Sequence, residues 1–310
     1  MDIVIAFNEA FVIQAGVMLC SLFENNKAEN IRVHALLSQE STFAQPVIDI
    51  VKQYGGHIQC YDLRPLNLPS LPIDLPNQRP NLVLESYYRL FVSEVIPSTL
   101  DRVLYLDCDI IIADSLSSLW NEDISDYAVG AVPDFENNNV KFSNRLGYDT
   151  EFGYFNSGVL LINLKYWREH GVVRKYLDYI KNNFFTLPYH DQDVLNHEFY
   201  QHKKELPIRY NLQTNLLFKN YYRNISCKYF NQIDEAFKHP CVIHFTEDKP
   251  WFSDTTNPMY SYYKKYLDMT IWRGMPSIKR KVSYKSRIRH FISLIRGKSE
   301  SEGLYNNVYL

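Results

Sequence analysis

Two aspartates separated by a single residue, Asp107 and Asp109, stand directly after an apolar run in this chain. The run, Val103 to Leu106, is rich in strand formers, which is typical of a strand buried on both faces of a parallel sheet. On an extended backbone, residues two apart project to the same side, so the two carboxylates should converge where the strand ends while Cys108 points away. Paired carboxylates repel each other unless a cation lies between them. The pattern therefore favours a divalent metal site.

Three other interpretations of the aspartate pair stay open at this point. The pair could lie in a solvated turn, could cap the short helix predicted within Ser115 to Trp120, or could combine a phosphorylated aspartate nucleophile with its acid/base partner. The last chemistry belongs to phosphatases of the haloacid dehalogenase type. Those enzymes carry the motif on an early strand and a later Gly-Asp-x-x-x-Asp, and this sequence has neither arrangement.

Composition indicates a globular protein. The chain has 310 residues, of which 46% are hydrophobic, enough for one large domain or two smaller ones. Its net charge of −2 argues against nucleic acid as the principal partner. The five cysteines show no close pairing, so we expect buried thiols rather than a disulfide framework or a zinc ribbon. With no leader pattern and no apolar run of about 18 residues, the expected protein is intracellular and does not span a membrane.

Residues 1 to 63 alternate between strand and helix patterns. Apolar runs predict three strands, which are Asp2 to Phe7, Ile31 to Leu37 and His57 to Leu63. Helical spacing predicts a helix over Phe11 to Phe23 and a second one that Ser41 can cap. A βαβαβ alternation gives an α/β fold with a parallel, doubly wound sheet, whose ligands bind at the switch point beyond the carboxyl ends of the strands. The expected crevice is near residues 6 to 10.

Ala6 and Asn8 lie where the first strand ends, and no Gly-x-Gly-x-x-Gly sequence follows them. The usual diphosphate cradle at a helix N-terminus is therefore missing, and a diphosphate bound here must be neutralised by a cation. Asn8 could bond to the edge of a base, or could serve only as a turn former.

Two loops are expected to carry function. Residues 65 to 80 contain five prolines and predict a stiff loop that could act as a lid. Residues 135 to 152 predict a long polar loop, and loops of that length are usually functional or mobile. Both stretches are therefore candidates for substrate recognition.

Periodicity also predicts the later elements. It indicates strands at Tyr127 to Val132, Val159 to Ile162 and Cys241 to Ile243, and helices over Leu82 to Val95 and Lys165 to Ile180. Before the second of these strands, Asn156-Ser157-Gly158 would let a ligand approach the backbone closely.

Three other polar positions each have a structural alternative. Arg89 could contact a phosphate or sugar, or form a surface ion pair. Asp191 and Asp193 open a predicted helix, where acidic residues commonly serve as caps. His244 follows a strand, where a lone histidine is more often structural, and its candidate partners are Asp107 and Asp109.

The ordered set of these motifs resembles the retaining glycosyltransferases of family 8, which include bacterial lipopolysaccharide galactosyl- and glucosyltransferases and, more distantly, glycogenin. The matching stretches are Met1 to Ala6, Tyr88 to Leu90, Leu104 to Asp109, Phe155 to Leu164, His190 to Leu195 and His244 to Trp251. The resemblance implies a nucleotide-sugar-binding fold of the GT-A type, with a single, mostly parallel twisted sheet and helices on both faces.

The resemblance also assigns roles to residues. It implies that Asp107, Asp109 and His244 ligate Mn²⁺, or Mg²⁺ in its place, and that the ion grips the diphosphate of a UDP-sugar. The remaining implied donor contacts are Ala6 and Asn8 to the uridine, Lys249 to the diphosphate, and Arg89, Asn156, Ser157, Asp191 and Gln192 to the sugar. Gln192, near the reacting carbon, and Asp191 are the implied catalytic residues.

Two positions depart from the family pattern. Asn8 stands where the family usually has Asp, although its carbonyl can still accept a hydrogen bond from uracil. Glu247 replaces a glycine in the family's His-x-x-Gly-x-x-Lys-Pro-Trp motif, with one residue fewer before Lys249. A carboxylate near a diphosphate is unfavourable unless it turns outward.

The expected function is a cytoplasmic, Mn²⁺-dependent, retaining transfer of galactose or glucose from a UDP-sugar to a surface glycan such as lipopolysaccharide. The alternatives are the phosphatase described above and a catalytically inactive nucleotide-sugar-binding protein, which the changes at Asn8 and Glu247 suggest.

The C-terminus forms a separate basic segment. Residues 277 to 310 carry eight Lys/Arg against two Glu, while the body is acidic. Apolar residues in this tail recur at helical spacing, at Ile288, Phe291, Ile292 and Ile295. We therefore predict a catalytic domain over residues 1 to 276 and a helical basic tail over residues 277 to 310 that associates peripherally with an anionic membrane surface. The alternative is a solvated basic helix, packed on the body or disordered.

Overall fold

The N-terminal half of the chain builds the parallel part of a central sheet. In a computed structural model, the residues described are 1–38, 42–63, 84–135, 140–183, 186–217 and 225–280. The first elements are β1 (Asp2–Ala6), α1 (Val12–Asn25), β2 (Arg32–Leu37), α2 (Gln45–Gln53), β3 (His57–Asp62) and β4 (Arg102–Leu106). β1 pairs in parallel with both β2 and β4, and β2 pairs in parallel with β3. The predicted doubly wound arrangement is confirmed, with its switch point between β1 and β4.

The rest of the central sheet is mixed. It contains β6 (Val129–Pro133), β7 (Phe155–Asn163) and β8 (Lys203–Glu205). β7 runs antiparallel to both β4 and β6, whereas β8 is parallel to β6. The strand order is β3-β2-β1-β4-β7-β6-β8, so the sheet is mostly parallel, as predicted.

A second, three-stranded sheet was not predicted. It consists of β5 (Ile110–Ile112), β9 (Leu212–Gln213) and β10 (Val242–His244), with β10 in the centre. β5 begins directly after Asp109, so the Asp107 to Asp109 turn connects the central sheet to the small one.

The helices cover both faces of the central sheet. They continue with α3 (Val92–Val95), α4 (Ser117–Trp120), α5 (Val140–Leu146), α6 (Leu164–Glu169), α7 (Val172–Asn183), α8 (His190–Phe199), α9 (Phe230–Lys238) and α10 (Tyr260–Leu267). On one face Ile3 and Ile5 of β1 belong to the hydrophobic cluster that includes residues of α1 and α2, whereas Val4 of the same strand belongs to the cluster on the other face, which includes residues of α7 and α8. This alternation follows from the two-residue period of a strand.

Three predicted segments differ from the structure. The predicted helix to Val95 begins with a 3₁₀ helix, Leu84–Phe91, and only its last turn is α-helical. The predicted helix over Lys165 to Ile180 is broken into α6 and α7 at Gly171, whose φ of 55° ends the first helix. The stretch from 135 to 152, predicted as an irregular loop, contains α5 and a 3₁₀ turn, Thr150–Phe152.

The cysteine prediction is right for Cys20, Cys108 and Cys241, which are buried, and wrong for Cys60 and Cys227, which are exposed. All five are free thiols.

Several predicted features fall outside the described residues. These are the proline loop at 65 to 80, the cap at Ser41 and the tail from residue 281. The described start of the tail pairs with the body: Ile278 forms a bridge with Phe252, and Arg280 pairs with Asp248 and Asp254. Within the described ranges, no helix combines the length and the apolar character needed to cross a bilayer.

Candidate active site

Asp107, Asp109 and His244 come together where β4 leaves the central sheet. One potential ligand atom from each side chain lies within 4.8 Å of the others. The aspartates follow β4, and His244 is the last residue of β10, so the small sheet brings the histidine to the turn. His244 Nε2 lies 3.3 Å from Asp109 Oδ1. The strand-end convergence expected from the spacing of the aspartates is therefore present, and the histidine joins it.

Gly158 on β7 makes room for this cluster. A Cβ atom at this position would lie 2.3 Å from His244 Cε1 and 2.9 Å from Asp107 Oδ2, closer than side chains tolerate. The sequence predicted that Gly158 permits close approach of a ligand. In the structure, the groups that approach it are the candidate metal ligands themselves.

Two basic side chains hold the aspartates. Lys249 Nζ lies 2.7 Å from Asp109 Oδ2 and also donates to the carbonyl of Phe245, while Arg89 Nη2 lies 2.8 Å from Asp107 Oδ1. Burial alone would raise the pKa of Asp109, but Lys249 and His244 hold that pKa well below its ordinary value. Two carboxylates and one imidazole are a donor set that suits Mn²⁺ or Mg²⁺, so the residues fit a divalent ion.

Arg89 lies inside the site, where it is only 5% exposed. Besides Asp107, it pairs through Nε with Asp191 Oδ2 at 3.0 Å and donates to the carbonyl of Ser157. Its guanidinium lies 4.5 Å from the centre of the Tyr105 ring. The surface ion pair that the sequence left open is thus excluded, because Arg89 is buried between the candidate metal ligands and α8.

The start of α8 contacts Arg89 and β7 next to the cluster. Ser157 N donates to Gln192 Oε1 at 2.9 Å, and Ser157 Oγ lies 3.3 Å from Asp191 Oδ2. Burial raises the pKa of Asp191 to about 6, with Asp107 adding to the rise and Arg89 opposing it. His190, just before these residues, has a φ of 50°, an uncommon conformation for a residue with a side chain.

Asp193 points away from the cluster and has a structural role. Arg145 of α5 donates to both of its carboxylate oxygens at 2.7 Å, and Tyr154 and the backbone N–H of Tyr189 donate to it as well. The side chain is fully buried. For Asp193 the capping interpretation is therefore correct, whereas Asp191 faces the site.

Sequence reasoning missed two residues of this site, Asp134 and Asn211. Asp134, directly after β6, accepts hydrogen bonds from Asn156 Nδ2 at 3.2 Å and from Gln192 Nε2 at 3.0 Å. Its position after a strand was a usable signal. Asn211 bonds to both His244 and Asn156, and nothing in its sequence context pointed to it.

The crevice predicted near residues 6 to 10 lies beside the cluster. Ala6, Asn8, Glu85 and the two clustered aspartates line it. Asn8 Oδ1 accepts from Ala10 N at 3.1 Å, as expected of a turn former, and its Nδ2 donates to Glu85 Oε2 at 3.2 Å. Cys108 Sγ points to the carbonyl of Ala6 at 3.5 Å.

The loop after β10 packs against Phe11, one of the residues that line the crevice. Trp251 packs edge-on against Phe11, with ring centroids 6.3 Å apart. Glu247, the departure from the family motif, has an exposed side chain, which is the arrangement that a nearby anion would require.

The fold and the acidic cluster at the switch point define a glycosyltransferase of the GT-A class. The chain belongs to glycosyl transferase family 8, whose model matches residues 2–255. Among curated relatives, general stress protein A of Bacillus subtilis is 33% identical over 207 residues, or 63% of this chain and 69% of the relative. A lipopolysaccharide 1,2-glucosyltransferase of Escherichia coli is 28% identical over 295 residues, or 92% and 84%.

A solved structure gives the same relationship. The crystal structure of the galactosyltransferase LgtC in complex with donor and acceptor sugar analogues has a TM-score of 0.76 at 27% identity, covering 93% of this chain and all of LgtC.

Proposed function

We propose that this chain transfers a hexose, galactose or glucose, from a UDP-sugar to a glycan acceptor of the lipopolysaccharide type, with retention of configuration and with Mn²⁺ or Mg²⁺ bound. The observation that carries the proposal is the convergence of Asp107, Asp109 and His244 beside the crevice at the switch point. The names of the relatives support it: two are lipopolysaccharide glucosyltransferases, and LgtC was crystallised with donor and acceptor analogues.

The charged residues around the cluster fit a diphosphate. Asp107, Asp109 and His244 would hold the ion, which when bound neutralises the diphosphate and stabilises UDP as it leaves. Lys249, already held at this corner by Asp109, adds a second positive charge next to the leaving group. Ala6 and Asn8 line the part of the crevice where the uridine would lie.

The sugar would bind among the polar groups between Arg89 and α8. Arg89 is buried and fixed by two carboxylates, and Asn156, Ser157 and Asp191 present hydrogen-bonding groups nearby. The Gln192 amide is held at both ends, by Ser157 and Asp134, so it would orient the sugar at the reacting carbon with little loss of side-chain entropy.

The tail extends the proposal to localisation. We assign residues 1 to 276 to catalysis and residues 277 to 310 to peripheral binding at an anionic, cytoplasmic membrane surface, with acceptor recognition in the stretches at 65 to 80 and 135 to 152. Nucleic acid is not an expected partner, because the body of the protein is acidic. Truncation after Arg280, which preserves its contacts with Asp248 and Asp254, should abolish flotation with phosphatidylglycerol vesicles. Equal flotation of both forms would exclude the membrane role.

The test of the central proposal is release of UDP from several UDP-sugars in the presence of Mn²⁺, with and without excess EDTA. We expect one hexose donor to be preferred and chelation to stop the reaction. Full activity in EDTA would exclude a metal-dependent mechanism. Cleavage of a simple phosphate ester would favour the phosphatase alternative, and no UDP release from any donor would favour an inactive binding protein.

A further inference from the structure

A chain of buried amide side chains connects the candidate metal ligand His244 to the sugar side of the site. Asn211 Oδ1 lies 3.0 Å from His244 Nδ1, and Asn211 Nδ2 donates to Asn156 Oδ1 at 2.9 Å. Asn156 then donates through Nδ2 to Asp134, which also accepts from Gln192. Asn211 has no exposed surface, and His244, Asn156 and Asp134 are each less than 10% exposed. This series of hydrogen bonds therefore runs through the interior, shielded from solvent.

The backbone N–H of Gly158 fixes the donor and acceptor of each hydrogen bond from Asn156 to His244. The backbone N–H of Gly158 donates to Asn156 at 2.9 Å, and a backbone N–H cannot accept, so the atom of Asn156 that faces it is Oδ1. The same Oδ1 faces Asn211, which must therefore present its Nδ2. Asn211 Oδ1 then remains for His244, and only an Nδ1–H tautomer can donate to it.

We propose that Asn211 is a positioning residue that sets the tautomer of His244. With a proton fixed on Nδ1, Nε2 is the ring nitrogen that would ligate an ion between the ring and Asp109, 3.3 Å away; without the ion, Nε2 can carry a proton of its own and donate to Asp109. A ligating histidine commonly has its other ring nitrogen fixed by such a partner, which orients the ring and sets the tautomer. Asn211 also ties this ring to Asn156, so the metal and sugar sides of the site share one hydrogen-bond chain.

The tautomer assignment does not depend on the activity, whereas the metal and sugar consequences rest on the proposed function. The first experiment therefore uses metal-free protein: ¹⁵N NMR of histidine-labelled enzyme at pH 8 distinguishes protonated from unprotonated ring nitrogens. We expect His244 Nδ1 to carry a proton in the wild type, whether or not Nε2 also carries one toward Asp109, and to lose that proton in a large part of the population in Asn211→Ala. A wild-type His244 without a proton on Nδ1, or an unchanged Nδ1 signal in Asn211→Ala, would overturn the proposal.

The second experiment measures binding of Mn²⁺ by electron paramagnetic resonance, in the presence of UDP. Loss of a partner of a metal-ligating histidine typically weakens metal binding about 10- to 100-fold, and we expect this of Asn211→Ala. Unchanged affinity in this variant would contradict the positioning role. Absence of Mn²⁺ binding in the wild type would instead contradict the proposed function and leave the NMR result to decide the tautomer.

Two further variants separate positioning from general packing. Asn211→Asp keeps an acceptor for His244 but cannot donate to Asn156, so it should keep the Nδ1–H tautomer and bind Mn²⁺ within about threefold of wild type while turnover falls. Asn26, another buried asparagine, lies directly after α1 and bonds to the backbone of Leu22 and Leu116, neither of which belongs to the site. Asn26→Ala should lower stability without changing the His244 tautomer. A changed tautomer in Asn26→Ala would mean that the NMR signal reports general loosening, and would overturn the proposal.

Discussion

The chain contains two Asp-x-Asp sequences in its site, Asp107 to Asp109 at the end of β4 and Asp191 to Asp193 at the start of α8. At the strand end both carboxylates converge with His244 on one cluster. On the helix they part: Asp191 contacts Arg89 and Ser157 in the site, while Asp193 contacts Arg145 on the other side. The turn after β4 directs the side chains of Asp107 and Asp109 to the same cluster, whereas residues two apart on a helix are about 200° apart around its axis.

The difference shows that backbone conformation, rather than spacing, decides what an acidic pair can do. Lys249 and His244 hold the pKa of Asp109 low despite its burial, whereas burial raises that of Asp191 to about 6. Asp193 is buried just as deeply but receives four hydrogen bonds. Three chemically identical side chains thus have three distinct roles, which mutations can separate.

The largest effect on the transfer rate is expected from the pair Asp107 and Asp109. Asp109→Ala removes a candidate ligand and the partner of Lys249, so transfer should fall a hundredfold or more, equivalent to several kcal/mol of lost stabilisation of the departing diphosphate. The measurement is UDP release over a titration of Mn²⁺, with the exposed Asp126→Ala as the control. Rescue of Asp109→Ala by ordinary Mn²⁺ concentrations would show that this aspartate is not a ligand.

On the helix, Asp193→Ala should act on stability. Removing one partner of a buried ion pair typically costs about 3–5 kcal/mol, because the remaining charge is left without compensation. Urea denaturation, read with circular dichroism, should show this loss, while UDP affinity of the folded fraction is retained. A variant as stable as wild type would contradict the structural role of the Arg145 pair.

Asp191→Asn should have the opposite effect on stability. The folded-state pKa of Asp191, about 6, is above the ordinary value of 3.8, so ionisation of this carboxyl destabilises the fold. The protonated carboxyl contributes its full stability below pH 3.8, and this contribution is lost as the pH rises through 6. The variant should therefore be more stable than wild type at pH 7.5, by on the order of 2–3 kcal/mol, and the gain should shrink at pH 5.

The same variant tests function. Turnover of Asp191→Asn, and of Gln192→Ala, should fall far more than UDP affinity, since both side chains face the sugar rather than the nucleotide. Calorimetry of UDP binding beside steady-state kinetics measures the split. Loss of UDP binding with an intact fold would mean that the start of α8 has been assigned to the wrong part of the donor.

The smallest effect is expected for Arg145→Lys. The charge opposite Asp193 is kept, but the two parallel hydrogen bonds of the guanidinium are reduced, so stability should fall by only about 1 kcal/mol. Mn²⁺ binding should not change. A loss comparable to that of Asp193→Ala would show that geometry rather than charge dominates this pair.

The sequence predicted the parts of this molecule that depend on local pattern. The doubly wound strands follow from apolar runs. Asp107 and Asp109 converge as predicted, although they lie in a turn and not on an extended strand. The strand at the centre of the small sheet was predicted at Cys241 to Ile243, but its two neighbours have only two or three residues, too few for a period, and the sheet pairs only through long-range contacts. Asn211 was missed for the same reason, since its partners come from distant parts of the chain.

The break between α6 and α7 had a local signal that was not used. Gly171 stood within the predicted helix, and a glycine near a helix end commonly adopts the left-handed conformation that stops it. The local sequence could not predict that Asp191 and Asp193 have different partners, because this depends on which side of α8 packs against β7 and which against α5.

The turn between β4 and β5 is the shortest covalent connection between the two sheets, and its two aspartates lie beside a histidine from the small sheet. A ligand bound to all three side chains would link the two sheets. It would stabilise, by RT ln(1 + [L]/Kd), the state in which the sheets are held together. Amide hydrogen exchange should register this unevenly: with Mn²⁺ and UDP, exchange at Ile111 and Ile243 of the small sheet should slow, while that at Ile58, on the far edge of the central sheet, should stay the same. The donor site would then also govern how often one part of the protein opens independently of the rest.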